Sequence, residues 1–211
     1  MPAVETTLAC HKNLVSGKKV RIPLAGSANK QGRVAGACAA GSKLLFQGVL
    51  GTSILKVGLL TAARTGLNER EAKLAGLSYR TTFVPGESNA TYYPSAESMI
   101  IKLTIETPTG KILGAQAVGR KGVDKRIDVL ATAIYSGLTV FDLENLDLAY
   151  APPYSSAKDP VIMGGMICAN MLRDDLSYVN PAELPAKLSV EDTVLLDVRT
   201  REEFDEGYID G

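Results

Sequence analysis

The chain has 211 residues, of which 45% are apolar and 22% are charged, and this composition excludes a disordered tail and a collagen-like repeat. Lys and Arg together number 23, and Asp and Glu together number 23, so the formal net charge is zero. Since nucleic acids and anionic membranes are bound by clustered Lys and Arg, this balance argues against either as the main partner.

The first 42 residues predict loops followed by a helix. Gly17, Pro23 and Gly26 interrupt short apolar runs in residues 1–29, and the small residues of 30–42 favour a closely packed helix. The N-terminus contains no apolar h-region. This excludes a secretory signal and predicts a cytoplasmic protein.

A strand and a capped helix are predicted next. Residues 53–63 are rich in apolar residues and Thr, which favours one strand. Asn68 and Glu71 have the spacing of a capping box, in which each side chain accepts a hydrogen bond from the backbone N–H of the other residue. Gly76 suits the left-handed residue that ends such a helix.

Alternation with a period of two predicts an antiparallel sheet in the middle of the chain. Residues 79–84 favour a strand, and residues 101–106 alternate apolar and polar side chains. A turn at Pro108 and Gly110 then returns the chain along residues 112–118. Apolar residues at helical spacing predict a helix that contains Ile127, Leu130, Ile134 and Leu138.

The helix predicted to begin at Asp159 is apolar on nearly every face. Asp159 and Pro160 are residue types found at a helix cap and first turn. The apolar residues 161–172 are fewer than the about 20 that span a membrane, and they include Asn170, so no transmembrane segment is expected. Another backbone can approach closely, from within the fold or from a second subunit, because four residues are small: Gly164, Gly165, Cys168 and Ala169.

The character of the chain changes after Asp175. Pro181 and Pro185 accompany a short helix, residues 193–198 favour a buried strand, and residues 201–206 favour a further helix. This order predicts the start of a second, α/β segment.

Several catalytic motifs are absent from the sequence. It contains no G-x-G-x-x-G, and residues 36–43 lack the residue order of a phosphate loop. Cys10, Cys38 and Cys168 include no C-x-x-C pair, so we expect reduced cysteines. His11 is the only histidine and is predicted to lie in a solvated loop, so neither a His-based triad nor a metal site is expected.

The most unusual segment is residues 149–160, AYAPPYSSAKDP. Two adjacent prolines stiffen the backbone between Tyr150 and Tyr154, whose hydroxyls can donate to an anion or a flavin oxygen. Lys158 is a mobile cation suited to phosphate. The spacing alone favours the alternative interpretation, in which the tyrosines pack as amphipathic wedges and the lysine is solvated. The same two interpretations apply to Tyr92.

Six segments carry a resemblance to a known family: IPLAGSANKQGR (22–33), GVLGTSILKV, TGLNE, YYPSAESM, KILGAQAVG and GVDKRIDVLATAIYSGLTVFDLENLDLAYAPPYSSAKDPV. They are similar to the C-terminal half of FAD-dependent pyridine nucleotide-disulfide oxidoreductases, in the coenzyme A-disulfide reductase and NADH oxidase group. The tail LLDVRTREEFDEGYIDG resembles the start of a rhodanese domain, with Tyr208 where that family commonly has His.

The resemblance implies a fold and a division into domains. An α+β dimerisation domain with an antiparallel sheet and helices is expected at residues 44–174. It would follow the end of an FAD-binding domain at residues 1–43 and precede an incomplete, rhodanese-like α/β segment at residues 175–211. In the intact family, electrons pass from NAD(P)H through FAD to a cysteine and a coenzyme A disulfide or persulfide. Because the FAD fingerprint and redox cysteine of the family are not in this sequence, we expect this chain alone to bind no cofactor.

The resemblance also implies roles for residues in the first helix. Leu24 and Ala25 are expected to lie against the flavin. Asn29 and Lys30 are expected close to the substrate. The alternative interpretation of these residues is an ordinary helix start.

A homodimer is the assembly that the family implies. The loop at residues 149–160 is expected to reach the active site of the partner subunit, with Tyr150 as a catalytic phenol near that flavin and sulfur centre. Lys158 is expected near a coenzyme A phosphate, and Tyr92 as a second phenol on the substrate side. A thiolate or reduced flavin is stabilised by a nearby donor, and a phosphate by a cation.

Two hypotheses of different class follow. The first is a fragment of a coenzyme A-disulfide or persulfide reductase, or of an NADH oxidase, that supplies the dimer interface and part of the active site. The second is a non-enzymatic dimerisation or binding module, or a degenerate copy, that lends Tyr150 and Lys158 to a partner such as a separate N-terminal half. Sulfurtransferase activity is not expected, because the rhodanese nucleophile is not in the sequence.

Overall fold

The computed structural model describes residues 11–190 and 193–209, in two compact units that divide between Leu176 and Ser177. We name them the main unit and the tail unit. The strands are β1 (His11–Lys12), β2 (Lys19–Val20), β3 (Ser53–Val57), β4 (Leu60–Gly66), β5 (Tyr79–Glu87), β6 (Ser98–Glu106) and β7 (Ile112–Gly119). The helices are α1 (Ala25–Ala39), α2 (Glu69–Ala75), α3 (Val123–Ser136), α4 (Val140–Leu143), α5 (Pro160–Leu172), α6 (Leu184–Leu188) and α7 (Arg201–Glu206).

A five-stranded antiparallel sheet forms the centre of the main unit, with the strand order β3-β4-β7-β6-β5. The alternation that predicted β6 determines which of its side chains reach the core. Ile101, Leu103 and Ile105 are buried, whereas Ile100, next to Ile101, is exposed. The antiparallel sheet and the hairpin between β6 and β7 are confirmed.

Helices α3 and α5 pack against the sheet and complete its core. Ile127 and Leu130 of α3 and Val161 of α5 belong to the same buried cluster as Ile101 and Leu103 of β6. Burial of each large apolar side chain contributes about 1.5–3 kcal/mol to folding. The combination of an antiparallel sheet with packed helices confirms the predicted α+β class.

Helix α5 uses its small residues for packing within the main unit. A Cβ on Gly164 would lie 2.7 Å from Cδ1 of Leu103, and a Cβ on Gly165 would lie 2.6 Å from the backbone N of Glu144. The close approach predicted for these glycines therefore occurs inside the fold. Ile162 remains partly exposed. Among the described residues, neither α5 nor any other helix is long and apolar enough to cross a membrane.

An exposed row of apolar residues crosses the opposite face of the sheet. The strand register aligns Leu55 with Ala62, Ala62 with Val118, Val118 with Ile100, and Ile100 with Pro85. Leu55, Ile100 and Val118 are 56%, 53% and 46% exposed. We name these five residues the apolar row. Contiguous exposed apolar surface of this kind is typical of interaction sites.

Two elements of the main unit differ from their predictions. The single strand predicted at residues 53–63 is a hairpin of β3 and β4, because Gly58 has a φ of +59° and turns the chain back on itself. The helix predicted at residues 30–42 is α1, which begins earlier, at Ala25. Among residues predicted as loop, β1 and β2 form a short antiparallel pair, while residues 1–10, including Cys10, lie outside the described residues.

The helix predicted after Asn68 is confirmed as α2, together with its capping. Asn68 Oδ1 accepts a hydrogen bond from the Glu71 N–H at 2.9 Å, and Glu71 Oε2 accepts from the Asn68 N–H at 2.9 Å. Gly76 ends the helix at a φ of +76°, a conformation that favours glycine. These signals lie within nine residues, which is why the sequence reveals them.

The strand predicted at residues 193–198 is wrong. These residues have no strand structure, and the side chains of Val194, Leu196 and Val198 are 84%, 77% and 86% exposed. A strand is stabilised by hydrogen bonds to a neighbouring strand, and the described part of the tail unit contains none. The helix predicted at residues 201–206 forms as α7, capped by Thr200.

Candidate functional site

The tyrosine–proline loop (residues 149–159) lies beside the Tyr92 segment (residues 88–97), which joins β5 to β6. The two are connected by a backbone hydrogen bond, in which the Ala90 N–H donates to the Pro152 carbonyl at 3.2 Å. Pro152 and Pro153 restrict the backbone φ angles of the loop. The loop is therefore held at a defined position against the Tyr92 segment.

Tyr92 and Tyr150 form a phenol pair between these segments. Their hydroxyl oxygens are 3.2 Å apart, and the residues are 76% and 48% exposed. The hydrogen bond with Tyr92, together with partial desolvation and the charge of the Tyr92 phenolate, raises the pKa of Tyr150 above its ordinary value. A phenol with a raised pKa stays protonated at neutral pH, so Tyr150 can serve as a hydrogen-bond donor.

A buried ionic cluster lies where the tyrosine–proline loop meets α5. Arg126 Nη2 is 2.9 Å from Asp159 Oδ2, and the Ser155 hydroxyl donates to the same oxygen at 2.6 Å. Arg126 is 1% exposed, Ser155 1% and Asp159 2%. We name these three residues the Arg126 cluster. Asp159 also caps α5, because its carboxylate accepts a hydrogen bond from the Val161 N–H at 3.0 Å.

The Arg126 cluster keeps Asp159 ionised. Burial alone would raise the pKa of Asp159. Hydrogen bonds from Ser155 and from the Val161 N–H, and the charge and hydrogen bond of Arg126, outweigh burial and lower this pKa below its ordinary value.

Arg126 was not identified from the sequence, although a signal was present. It lies on the buried side of α3, where Val123, Ile127 and Leu130 are also buried. An arginine inside an apolar helix stripe is rare unless it is paired. That position therefore indicated a buried partner, but its identity required the fold.

Lysines surround the two segments. Lys121 Nζ donates to Asn89 Oδ1 at 3.1 Å, and Lys125 Nζ donates to the Ala149 carbonyl at 3.4 Å. Lys158 is exposed and has no hydrogen bond or ion pair within the described chain. Lys158 is therefore available to an anionic ligand.

Two of the four residues predicted in the first helix border a cavity of about 630 Å³. Leu24 and Lys30 line it, together with Asp128 of α3. Ala25 and Asn29 are exposed, and Asn29 Nδ2 donates to the Ala25 carbonyl at 3.1 Å. Neither is among the residues that line the cavity. In the described chain no hydrogen bond joins this group to the phenol pair, so the predicted residues form two sets.

His11 and the two cysteines among the described residues, Cys38 and Cys168, contact neighbouring parts of the fold. His11 is 4% exposed, with Nδ1 2.6 Å from Gln31 Nε2 and its ring edge-on to Phe46, so the prediction of a solvated His11 is wrong. The helix and loop that cover it are distant in sequence. Cys168 is buried, and this burial raises the pKa of its thiol to about 12. Cys38 is partly exposed. Within residues 11–190 and 193–209, no group of three or more acidic, His or Cys side chains could hold a metal ion.

The central part of the chain matches a known protein family. Residues 53–161 match the dimerisation domain of the pyridine nucleotide-disulphide oxidoreductases. This stretch includes β3 to β7, α2 to α4, the Tyr92 segment and the tyrosine–proline loop.

Characterised relatives and solved structures are similar to most of the chain. It is 43% identical over 152 residues to the CoA-dependent NAD(P)H sulfur oxidoreductase of Pyrococcus furiosus, covering 72% of this chain and 34% of that protein. It is 38% identical over 163 residues to the coenzyme A disulfide reductase of Staphylococcus haemolyticus, covering 77% and 36%. The chain thus spans about a third of the length of these relatives.

Two solved structures show the same fold. The crystal structure of reduced Bacillus anthracis CoADR-RHD superposes with a TM-score of 0.89 at 45% identity, covering 96% of this chain and 36% of that one. The structure of an NAD-dependent persulfide reductase from A. fulgidus superposes with a TM-score of 0.86 at 46% identity, covering 95% and 36%.

Proposed function

Because this chain belongs to the pyridine nucleotide-disulphide oxidoreductase family through its dimerisation domain, we propose that it is the C-terminal part of a reductase of coenzyme A disulfides or persulfides. Members of this family depend on FAD and NAD(P)H. The observation that carries the proposal is the phenol pair of Tyr92 and Tyr150, held on two connected segments with both hydroxyls accessible.

In the proposed enzyme the chain forms a homodimer, and Tyr150 acts in the active site of the partner subunit. A protonated phenol stabilises charge that develops on sulfur or on a flavin during reduction, because it donates a hydrogen bond. A phenol is protonated at neutral pH at its ordinary pKa, and the raised pKa of Tyr150 favours that form further. The exposure of Tyr150 supports this role, since the residue is 48% exposed and its hydroxyl is hydrogen-bonded to Tyr92, which is itself exposed.

We propose that the start of α1 contacts one edge of a flavin, as the family resemblance implies. Leu24 is the N-cap without a side-chain hydrogen bond, and the first turn contains no acidic residue. The free backbone N–H groups and the positive end of the helix dipole favour a ligand with partial negative charge. Leu24 and Ala25 would therefore contact the flavin. When bound, FAD supplies electron transfer between NAD(P)H and the sulfur substrate.

On the substrate side we propose Asn29, Lys30, Tyr92 and Lys158. Lys30 lines the same cavity as Leu24, and Lys158 is an unpaired cation. A lysine ammonium is suited to the phosphates of coenzyme A, and the Tyr92 hydroxyl can donate to or accept from the substrate.

The proposed organisation has three parts. Residues 1–43 end an FAD-binding domain, residues 44–174 form the dimerisation domain, and residues 175–211 begin a rhodanese-like domain. The division of the chain into two compact units next to Leu176 supports a boundary in this region.

The second candidate is a binding module without catalytic activity. The apolar row favours this alternative, since it offers a protein partner an extensive surface that needs no cofactor. Under this hypothesis the tyrosine–proline loop contributes contact area and no chemistry.

One chimera distinguishes the two candidates. This chain replaces the stretch that it matches in the A. fulgidus persulfide reductase, 36% of that protein, and NADH oxidation is followed with coenzyme A persulfide and coenzyme A disulfide as substrates. We expect bound FAD, turnover, and a kcat about 10²-fold lower in Tyr150→Phe, because one hydrogen-bond donor to developing charge is lost. Tyr208→Phe, in the tail unit, is the matched control and leaves kcat unchanged.

The same chimera tests Lys158. Lys158→Ala raises KM for the coenzyme A substrate about 10-fold, the effect of one charge-assisted hydrogen bond. Lys56→Ala removes another exposed lysine, in β3, and leaves KM unchanged. A chimera that binds FAD and turns over equally well with Tyr150 or Phe at this position contradicts the proposed role of Tyr150. A folded dimeric chimera with FAD and no turnover supports the binding module.

A further inference from the structure

The Arg126 cluster connects three segments of the main unit. Arg126 Nη2 donates to the Ser88 carbonyl at 3.1 Å and to Ser155 Oγ at 3.2 Å, and it pairs with Asp159 at 2.9 Å. Arg126 Nη1 also donates to the Gly122 carbonyl at 3.2 Å, which fixes the guanidinium against its own helix. One side chain of α3 thus contacts the Tyr92 segment and the tyrosine–proline loop, whose last residue, Asp159, caps α5.

Each tyrosine of the phenol pair lies within a few residues of an Arg126 contact. Ser88 begins the segment that carries Tyr92, and Ser155 follows Tyr150 in the tyrosine–proline loop. The phenol oxygens meet at 3.2 Å, and both are exposed to solvent. A hydrogen bond between exposed side chains contributes little by itself to holding two segments in place, because water competes for both groups. The constraint on the pair therefore comes from the backbone of the two segments, which the Ala90–Pro152 hydrogen bond and the Arg126 contacts hold together.

The chemistry of the cluster suits positioning better than stability. Burial of an ion pair removes both charges from water, and apolar residues of similar volume often stabilise a protein equally well or better. A planar guanidinium instead fixes the direction of several hydrogen bonds at once. Here those bonds are directed to carbonyl, hydroxyl and carboxylate oxygens on two different segments.

We propose that Arg126 is a positioning residue for the phenol pair, and that it sets the distance between Tyr92 and Tyr150 by holding Ser88 and the Ser155–Asp159 unit on one guanidinium. Its effect on catalysis rests on the function proposed above, whereas its effect on the geometry of the pair does not. The cluster contacts neither phenol, so it acts through the backbone of the two segments.

The proposal is tested in the full chain without flavin or substrate. The protein is labelled with tyrosine carrying ¹³C at Cζ, and the Tyr92 and Tyr150 resonances are assigned with Tyr92→Phe and Tyr150→Phe. The measured quantity is the change in the Tyr150 Cζ shift that Tyr92→Phe causes. We expect a clear change in the wild-type background, because the two hydroxyls are hydrogen-bonded, and its loss in the Arg126→Lys background.

Arg126→Lys is the main variant because it keeps the charge next to Asp159 but removes the planar fork. A lysine ammonium cannot reach both the Ser88 carbonyl and the Asp159 carboxylate with the same geometry. Arg173→Met is the control, since Arg173 pairs with Glu144 and contacts neither tyrosine-bearing segment. It should leave the Tyr92-dependent shift of Tyr150 unchanged.

A second variant allows the test even if Arg126→Lys does not fold. Ser155→Ala removes the hydroxyl between Arg126 and Asp159 and leaves the ion pair, so we expect a folded protein with a reduced Tyr92-dependent shift. A folded Arg126→Lys or Ser155→Ala protein that retains the full wild-type shift overturns the proposal.

The outcomes separate this proposal from the proposed function. If the shift is lost in Arg126→Lys while Tyr150→Phe leaves turnover of the chimera unchanged, the positioning role stands and the catalytic role of Tyr150 fails. If the shift survives in Arg126→Lys while Tyr150→Phe lowers turnover, the positioning role fails and the catalytic role stands.

Discussion

The main unit and the tail unit each contain a short run rich in apolar residues, β6 in the main unit and residues 193–198 in the tail unit. Only the run in the main unit has buried apolar side chains. In β6, Ile101 and Leu103 are at most 1% exposed, because β5 and β7 pair with this strand and α5 packs against it. In the tail unit, Val194 and Leu196 are 84% and 77% exposed in a segment without strand pairing. An apolar run therefore forms a strand only where the fold places other strands beside it and a helix against it.

Short-range signals, in contrast, succeed in both units. Asn68 and Glu71 cap α2 in the main unit, and Thr200 and Glu203 form the same capping box at α7 in the tail unit. Helix α7 has no buried residue, so packing does not explain it. Local hydrogen bonds therefore determine helix ends in either unit, whereas tertiary contacts determine the sheet.

Removal of a carboxylate should give the largest difference between the units in the free energy of unfolding. Asp159→Asn leaves Arg126 buried without a counter-ion and should lower the free energy of unfolding at pH 7 by about 3–5 kcal/mol. Asp205→Asn, which removes an exposed partner of Arg201 in the tail unit, should cause no measurable change. Urea unfolding of both variants measures the comparison, and equal effects would contradict it.

The free energy of unfolding should also depend on pH through Asp159. Because the pKa of Asp159 is lower in the folded state than its unfolded value of about 3.9, its stabilising contribution is present above that value. The contribution is lost as the pH falls through the folded pKa. Asp159→Asn should therefore reduce the loss of stability on acidification from about pH 5 to about pH 2, the approximate range in which this carboxylate titrates. An unchanged pH profile in Asp159→Asn would show that the cluster does not depend on an ionised carboxylate.

A matched pair of leucines tests the apolar runs directly. Leu103→Ala in β6 should lower the free energy of unfolding by about 2–5 kcal/mol, because it creates a cavity in the core. Leu196→Ala in the tail unit should change it by less than about 0.5 kcal/mol, because the side chain is exposed. A large effect at Leu196 would mean that this residue is buried in solution.

The smallest of the expected differences concerns two glycines. Gly165→Ala brings a Cβ to 2.6 Å from the backbone N of Glu144 and should cost about 1–3 kcal/mol through overpacking. Gly207→Ala, in the tail unit, meets no atom within 4 Å and should be close to neutral. Thermal unfolding of the two variants would sharpen the comparison, and a neutral Gly165→Ala would show that α5 can move away from α4.

The fold of the main unit was largely readable from the sequence, and the candidate site only in part. Alternation in residues 101–106 and the capping box at Asn68 predicted their elements, because both signals lie within a few residues. The expected roles of Tyr92 and Tyr150 came from the family resemblance, whereas the hydrogen bond between their hydroxyls was found only in the fold. Arg126 was missed, because its partners lie 29 to 38 residues away and are brought to it only by the sheet and α5.

The proposed function requires two copies of the chain to pair, since Tyr150 is proposed to act in the active site of the partner subunit. Sedimentation equilibrium of the chain over a wide range of concentrations tests it most directly. A homodimer predicts a folded species of twice the 22.4 kDa protomer mass. A well-folded species of 22.4 kDa at the highest concentrations would contradict it.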